Sequence, residues 1–298
     1  MYKKDKKAMN IPWVESPFFY DLVKNHEEEK MLTHYHEEGF VVSQNYLSDE
    51  IMNKISKCYD DFVTTNPSLT LEEMASPHIY GGVNMKHQIN HTLSNAFLEI
   101  GRSNEIVSQV NKILGPDVIL WGMHIMHKPA KTGKKIPWHQ DGTYWPINPK
   151  ATCSVWIAIT DVDETNGCMQ FIPKSHKNGT LPHLQEDKVK EEGELKGSLD
   201  LKIDEKSFNK NEAVNCIIKR GQASFHDTYL LHSSDANFSE NPRKAIVLRY
   251  MPSSSLFDRN IPDRVSANGF KYEFQERPIF LVSGNAKQNE LRNSNYPS

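Results

Sequence analysis

From Val118 onward the chain is a run of short segments rich in Ile, Val, Trp and Thr, separated by Gly, Pro, Asn and Asp. The candidate strands are Val118–His127, Ile136–Asp141, Ala151–Asp161, Cys168–Ile172, Asn215–Lys219, Ala223–Asp227 and Lys244–Met251. Many short strands punctuated by turns imply a sandwich or barrel. The stretch before them reads as helical. Leu47, Ile51, Ile55, Tyr59 and Phe62 recur every three or four residues, and Ser48 with Asp49 and Glu50 makes a helix start. A second helix is expected from about Ser103, with Ile106, Val107, Val110, Ile113 and Leu114 as its stripe and Gly115-Pro116 as its stop. We therefore expect one domain over residues 1–298. It has a helical part over about 17–115, a mainly β core over about 116–284 and a polar, frayed tail over 285–298.

Composition narrows the function classes. With 298 residues and 38% hydrophobic content, the chain can bury one large core. A net charge of −3 supplies no basic field for nucleic acid or an anionic membrane surface. No apolar run reaches the ~18–20 residues of a spanning helix, and the Lys-rich start lacks the apolar core of a signal peptide. Cys58, Cys153, Cys168 and Cys216 are scattered with no CxxC, which reads as reduced thiols in a cytoplasmic protein. Residues 184–212 are crowded with charge and read as a solvated insertion, with a mobile lid as the alternative. Nothing in the sequence speaks to oligomeric state.

Trp138-His139-Gln140-Asp141 carries the chemistry. On a strand, His139 and Asp141 would share a face. One further His would complete two imidazoles and a carboxylate, the facial triad of non-haem Fe(II) oxygenases. Two histidines compete for that place. His226 directly precedes Asp227, so those side chains would oppose each other on a strand. His232 precedes a polar turn, Asp235 to Pro242, and then Arg243 and the next strand. Such a hairpin could bring Arg243 close to a metal carried by His232.

The sequence resembles the phytanoyl-CoA dioxygenase family of Fe(II)/2-oxoglutarate oxygenases. The resemblance rests on Pro137 to Trp145, Val155 to Ile159, Asp161 to Met169, Phe171 to His176, Leu231 to Ser234 and Asn241 to Ala245. His36 to Val42 and Arg277-Pro278 to Gly284 also fit, so it spans roughly residues 30 to 284. It implies a double-stranded β-helix, or cupin-like jelly roll, with N-terminal helices packed on one sheet. It also implies His139, Asp141 and His232 as ligands of Fe(II). Arg243 would take the distal carboxylate of 2-oxoglutarate, with Ser234 and Trp156 helping to hold that cosubstrate. Gln140 is a further candidate for touching it, or else pairs with a neighbouring strand. The implied reaction consumes O2, decarboxylates 2-oxoglutarate to succinate and CO2, and hydroxylates a substrate. Related halogenases replace the carboxylate ligand by a small residue, so Asp141 favours hydroxylation.

The substrate is less legible. His124, Met126 and Lys128 alternate on one face of a strand. Tyr144 and Trp145 could form an aromatic wall. The Gly-rich, polar segment 78–87, with Tyr80 and Asn84, is the candidate recognition loop. Arg249 shares a strand face with Arg243 and reads as structural. His176 lies in a Pro-Lys-Ser-His turn and is not counted as a ligand. No Lys/Arg cluster suited to a CoA phosphate stands out, which favours a small metabolite or natural-product intermediate over an acyl-CoA. Desaturation and oxidative cyclisation use the same site. A non-catalytic metal-binding jelly-roll module and a cupin-like isomerase are the other readings: loss of catalysis usually shows as a missing ligand or a missing Arg, and none is missing, while the isomerase would not require Arg243.

Overall fold

The computed structural model describes residues 26–44, 46–67, 76–80, 88–185, 201–265, 271–272 and 274–292. Among the described residues, four helices precede the main sheets: α1 (His26–Glu38), α2 (Asp49–Thr65), α3 (His91–Gly101) and α4 (Asn104–Leu114). The Ser48 hydroxyl accepts the Ile51 N–H at 3.4 Å and caps α2. Gly115, at φ +87°, ends α4. The expected helices at Ser48 and Ser103 are therefore present. The sequence reading missed α1 and α3, and also a strand inside the helical part.

That strand is β1 (Phe40–Val42). With β2 (Val118–Lys128), β4 (Cys153–Ala158), β7 (Ala223–Asp227), β9 (Arg243–Pro252) and β10 (Phe280–Ser283) it forms a six-stranded antiparallel sheet. The order across it is β1-β7-β4-β9-β2-β10. A second antiparallel sheet has β3 (Ile136–His139), β5 (Met169–Phe171), β6 (Val214–Cys216) and β8 (His232–Ser234), in the order β3-β8-β5-β6.

Alternation assigns the faces of the larger sheet. Ile246, Leu248, Tyr250, Val155, Ile157 and Phe225 pack with helix residues such as Ile55, Tyr59, Phe62, Phe97 and Val110. Ala245, Val247, Trp156 and Ala158 point the other way, against Met169, Phe171 and Leu230. One irregularity breaks the pattern. Arg249 pairs with Gly122 and Tyr250 with Leu120, so Trp121 is an extra residue in β2. This bulge changes the parity of the strand. Leu120 and Met123 both face the helices, while Trp121 joins a separate cluster with Trp145 and Phe257.

Two expectations about chain segments change. The tail is not frayed over its described part: Asn289 is buried and donates to the carbonyls of Ser253 (3.0 Å) and Ser255 (2.8 Å). The 184–212 insertion is not wholly solvated. Its flanks His183–Gln185 and Leu201–Ile203 pair, and Ile203 is buried with Trp138, Ile172 and Leu231. Residues 186–200, where a lid would lie, are outside the described residues, as is Asn84.

Asp227 ends β7 on the helix side, opposite Cys153. Burial pushes its carboxyl up to about 7, with the Tyr229 N–H (2.7 Å) pulling partly back. The folded protein therefore holds a proton that the unfolded chain releases near pH 4. Stability from this group is present below that value and is lost as pH rises through about 7. Asp227→Asn keeps the acceptor for Tyr229 but cannot ionise. We expect its thermal midpoint to match the wild type at about pH 3.5 and to exceed it at pH 8, where the gain in stability approaches about 4 kcal/mol because the wild-type carboxyl is raised from near 4 to about 7. Parallel midpoints at both pH values would refute the assignment.

Candidate active site

Between the sheets lies a cavity. It is lined from the larger sheet by Met126, Trp156, His226, Arg243, Val247 and Arg249. The smaller sheet and its turn contribute Ile136, His139, Asp141, Met169 and residues 232–234.

His139 and His232 face each other directly across β3 and β8, with ring centres 4.1 Å apart. Each Nδ1 meets a backbone carbonyl two residues earlier in its own segment. The His139 partner is Pro137 O at 2.8 Å, and the His232 partner is Leu230 O at 2.9 Å. A carbonyl only accepts, so each Nδ1 carries a proton, which leaves Nε2 as the atom through which a neutral ring would bind a metal. The third group corrects the sequence picture, because β3 stops at His139. Gln140 stays extended, and Asp141 opens a 3-10 turn over Asp141–Tyr144. One extended residue still keeps Asp141 on the side of His139. The turn is anchored by the Gly142 N–H donating to Thr228 O at 3.0 Å, and by the Lys150 ammonium donating to Gly142 O.

Ligand atoms of His139, Asp141 and His232 lie within 4.8 Å of one another, and all three residues are buried. Burial raises the Asp141 carboxyl, but Arg249, His139 and His232 outweigh it and hold the group well below the usual range. Arg249 Nη2 is 3.5 Å from Asp141 Oδ1, and Ser154 donates to Oδ2 at 3.4 Å. Burial, and then His139 beside it, hold His232 well below 6.5 and therefore neutral. Two imidazoles with Nε2 turned to the cavity and an ionised carboxylate are a donor set suited to a divalent iron with open positions.

The far end of the cavity is cationic. Arg243 is buried, with its guanidinium 5.3 Å from the Trp156 ring centre. It donates through Nη1 to Gly167 O, while its Nε and the Trp156 indole N–H have no partner. Gly167 sits at φ +78°, and a Cβ there would lie 2.4 Å from Asp235 O, so the residue that fixes Arg243 has to be glycine. Lys128, opposite Arg243 on β2, donates to Ser234 Oγ at 2.8 Å. Unused, buried, positively charged donors at one end of a cavity fit a carboxylate.

Several expected contacts fall elsewhere. Gln140 does not line the cavity. Its amide donates to Gly179 O (2.8 Å) and Tyr229 O (2.6 Å), and its Oε1 accepts from the Leu181 N–H (2.7 Å). The turn at Asp141 rotates Gln140 into the loop packing and satisfies it there. Tyr80 is 46% exposed and packs on His91 at 5.2 Å. The Tyr144 side chain is outside the described residues. His124 and Trp145 are buried and do not line the cavity themselves, but both adjoin Arg249, which does, Trp145 with its ring centre 4.8 Å from the guanidinium. Two residues not counted among the site residues also line the cavity. His226, rejected as a ligand, still faces the cavity 5.4 Å from the His232 ring, and burial takes its pKa down to about 4. Arg249 was read as structural although strand parity already put it on this face.

Known proteins supply an independent comparison. The rat peroxisomal phytanoyl-CoA dioxygenase (Rattus norvegicus) is 25% identical over 282 residues, 89% of this chain and 78% of that protein. Ectoine dioxygenase of Bordetella bronchiseptica is 25% identical over 72% of each chain. The bovine (Bos taurus) phytanoyl-CoA dioxygenase is 30% identical over 148 residues, and this match spans only 42% of that protein's length and 48% of this chain. Among solved structures, the non-heme monooxygenase ThoJ aligns with a TM-score of 0.62 at 22% identity, over 89% of this chain and 88% of that one. The epimerase SnoN, solved with Fe3+, alpha ketoglutarate and nogalamycin RO, aligns at 0.57 and 18% identity, over 78% of this chain and 86% of its own. These structural likenesses speak to fold. The profile of the phytanoyl-CoA dioxygenase (PhyH) family matches residues 35–245, well over half the sequence, and the chain belongs to that family.

Proposed function

We propose that the chain is an Fe(II)/2-oxoglutarate-dependent oxygenase that hydroxylates a small-molecule metabolite or natural-product intermediate. Family membership supports the class. One observation carries the reading for this chain: the aimed His139–Asp141–His232 cluster and the buried, underused Arg243 open onto the same cavity. His139 and His232 would bind iron through Nε2, and Asp141 through a carboxylate oxygen. Arg243 would pair with the distal carboxylate of 2-oxoglutarate, with Ser234 and the Trp156 indole N–H as neighbouring donors. When bound, the metal and cosubstrate supply oxidising power through O2 and the decarboxylation of 2-oxoglutarate to succinate and CO2.

The chain's own groups do the positioning. Lys128 fixes the Ser234 hydroxyl, Gly167 fixes Arg243, and Arg249 with Ser154 fixes Asp141. Met126, Ile136, Met169 and Val247 give the cavity apolar walls that limit water. Two antiparallel sheets facing each other across the cavity support the double-stranded β-helix, and the descent of residues 40–283 through both sheets supports a single oxygenase domain. Four buried, unpaired cysteines fit a reducing cytoplasm. Among the described residues, no helix is long and apolar enough to cross a membrane.

Succinate formation by the purified chain should require both Fe(II) and 2-oxoglutarate and should stop when a chelator removes the metal. Succinate release that is indifferent to iron would sink the proposal.

A further inference from the structure

The cavity has two arginines, and a dicarboxylate cosubstrate accounts for one of them. Arg243 and Arg249 stand on the same face of β9, about 20 Å apart along the strand at its usual rise. Arg249 is 9% exposed, and its Nε has no hydrogen-bond partner. Its guanidinium lies against two indoles, 4.8 Å from the Trp145 ring centre and 6.0 Å from that of Trp121. Its contact with Asp141, at 3.5 Å, is a loose ion pair.

The bulge in β2 builds this recess. It brings Trp121 beside Arg249 and puts Gly122 directly opposite it. A Cβ at Gly122 would lie 3.6 Å from Arg249 Cβ, 3.7 Å from its Cδ and 3.9 Å from Arg277 Nη2. A Cβ there would already be in ordinary contact with both arginine side chains, so the glycine lets Arg249 and Arg277 pack together over β2. Arg277 is held there by donating through Nε to Trp121 O at 3.1 Å. Among the described residues, buried polar atoms without hydrogen-bond partners lie on side chains that interact with these arginines. They are His124 Nδ1, both ring nitrogens of His78 and the Trp121 indole N–H. Unsatisfied buried polar atoms are costly and rare, so a cluster of them beside a cavity marks a place where a ligand supplies partners, acceptors for the indole N–H and for one N–H of each neutral imidazole. The demand grows with a metal bound, because Asp141 then shares its charge with the ion and Arg249 loses most of its counter-charge.

Resting on the oxygenase reading, we propose that this recess is the substrate subsite and takes an anionic, oxygen-rich group, a carboxylate or a phosphate monoester, with Arg249 supplying the charge and His124, His78 and Trp121 the surrounding hydrogen bonds. Arg249 touches a metal ligand, so the anchored group sits close to the metal. The carbon to be oxidised is then near the anionic group. A long acyl-CoA, whose charges are far from its reacting carbon, would not satisfy Arg249.

The test reads binding alone. The protein is loaded with Mn(II) and 2-oxoglutarate without O2, and thermal midpoints are titrated with matched probes: hexanoate and phenylacetate, their primary amides, hexyl phosphate and octanoyl-CoA. The response to Mn(II) and 2-oxoglutarate is measured first, and its absence counts against the oxygenase reading. The contrast between acid and amide, run with and without metal, judges the anion site on its own. We expect the carboxylates or the phosphate ester to bind and the amides not to, and which anion binds identifies the group. Arg249→Met should weaken that binding by about thirtyfold or more. Arg249→Lys, which keeps the charge, should retain part of it and so separates loss of charge from loss of structure. Amides binding as well as acids, no anion binding, octanoyl-CoA alone binding, or unchanged affinity in Arg249→Met would each overturn the proposal.

Discussion

Asp141→Ala is expected to reduce iron-dependent succinate formation to background. The substitution removes the one anionic donor of the His139–Asp141–His232 cluster and leaves two neutral imidazoles to hold a dication. It also strands Arg249, whose ion-pair partner at 3.5 Å disappears while its guanidinium stays buried. Breaking a buried pair from one side costs about 3–5 kcal/mol, so the metal-free variant should also unfold at lower temperature. His139→Ala removes a ligand and leaves the Asp141–Arg249 pair in place. The two variants should therefore share the loss of turnover, and Asp141→Ala should be the less stable. Retained iron-dependent turnover in both would rule out the cluster as the metal site.

Arg243→Ala should separate cosubstrate from metal. Arg243 touches Gly167, Trp156 and the cavity, with no direct contact to the three metal-ligand candidates. Deleting a buried charge that pairs with a carboxylate costs about 3–4 kcal/mol, so the concentration of 2-oxoglutarate at half-saturation should rise on the order of a few hundredfold. Iron binding, followed by calorimetry without cosubstrate, should change little. Arg243→Lys should recover only part of the loss, because an ammonium cannot present two parallel N–H groups. An unchanged half-saturation in Arg243→Ala would remove Arg243 from the cosubstrate site.

The metal cluster was legible because its signal is local. A His and an Asp two residues apart lie on one side of any extended segment, and that held although the strand ended one residue earlier than expected. Spacing along a hairpin likewise connected His232 to Arg243. Gln140 was misread because its fate depends on backbone groups of Gly179, Leu181 and Tyr229, which only folding brings near. Arg249 was undervalued for a similar reason. Parity on β9 put it on the right face, but its neighbours arrive through a bulge in β2 that no composition signal announces. The helix over His91–Gly101 was visible in principle, since Leu93, Phe97 and Ile100 have helical spacing. Ile203 shows the opposite limit, a lone apolar residue in a charged stretch that is buried beside Trp138.

The hydrogen bond from each imidazole to a carbonyl two residues back has a thermodynamic side. Freezing a side chain at a binding site costs about 0.5–1.5 kcal/mol of rotamer freedom. Here both rings surrender that freedom when the strands form, to partners in their own segments. An ion bound there would find two donors already immobilised, so its capture would be relieved of that entropy. Only the Asp141 carboxylate, shared loosely with Arg249, has an earlier attachment to give up.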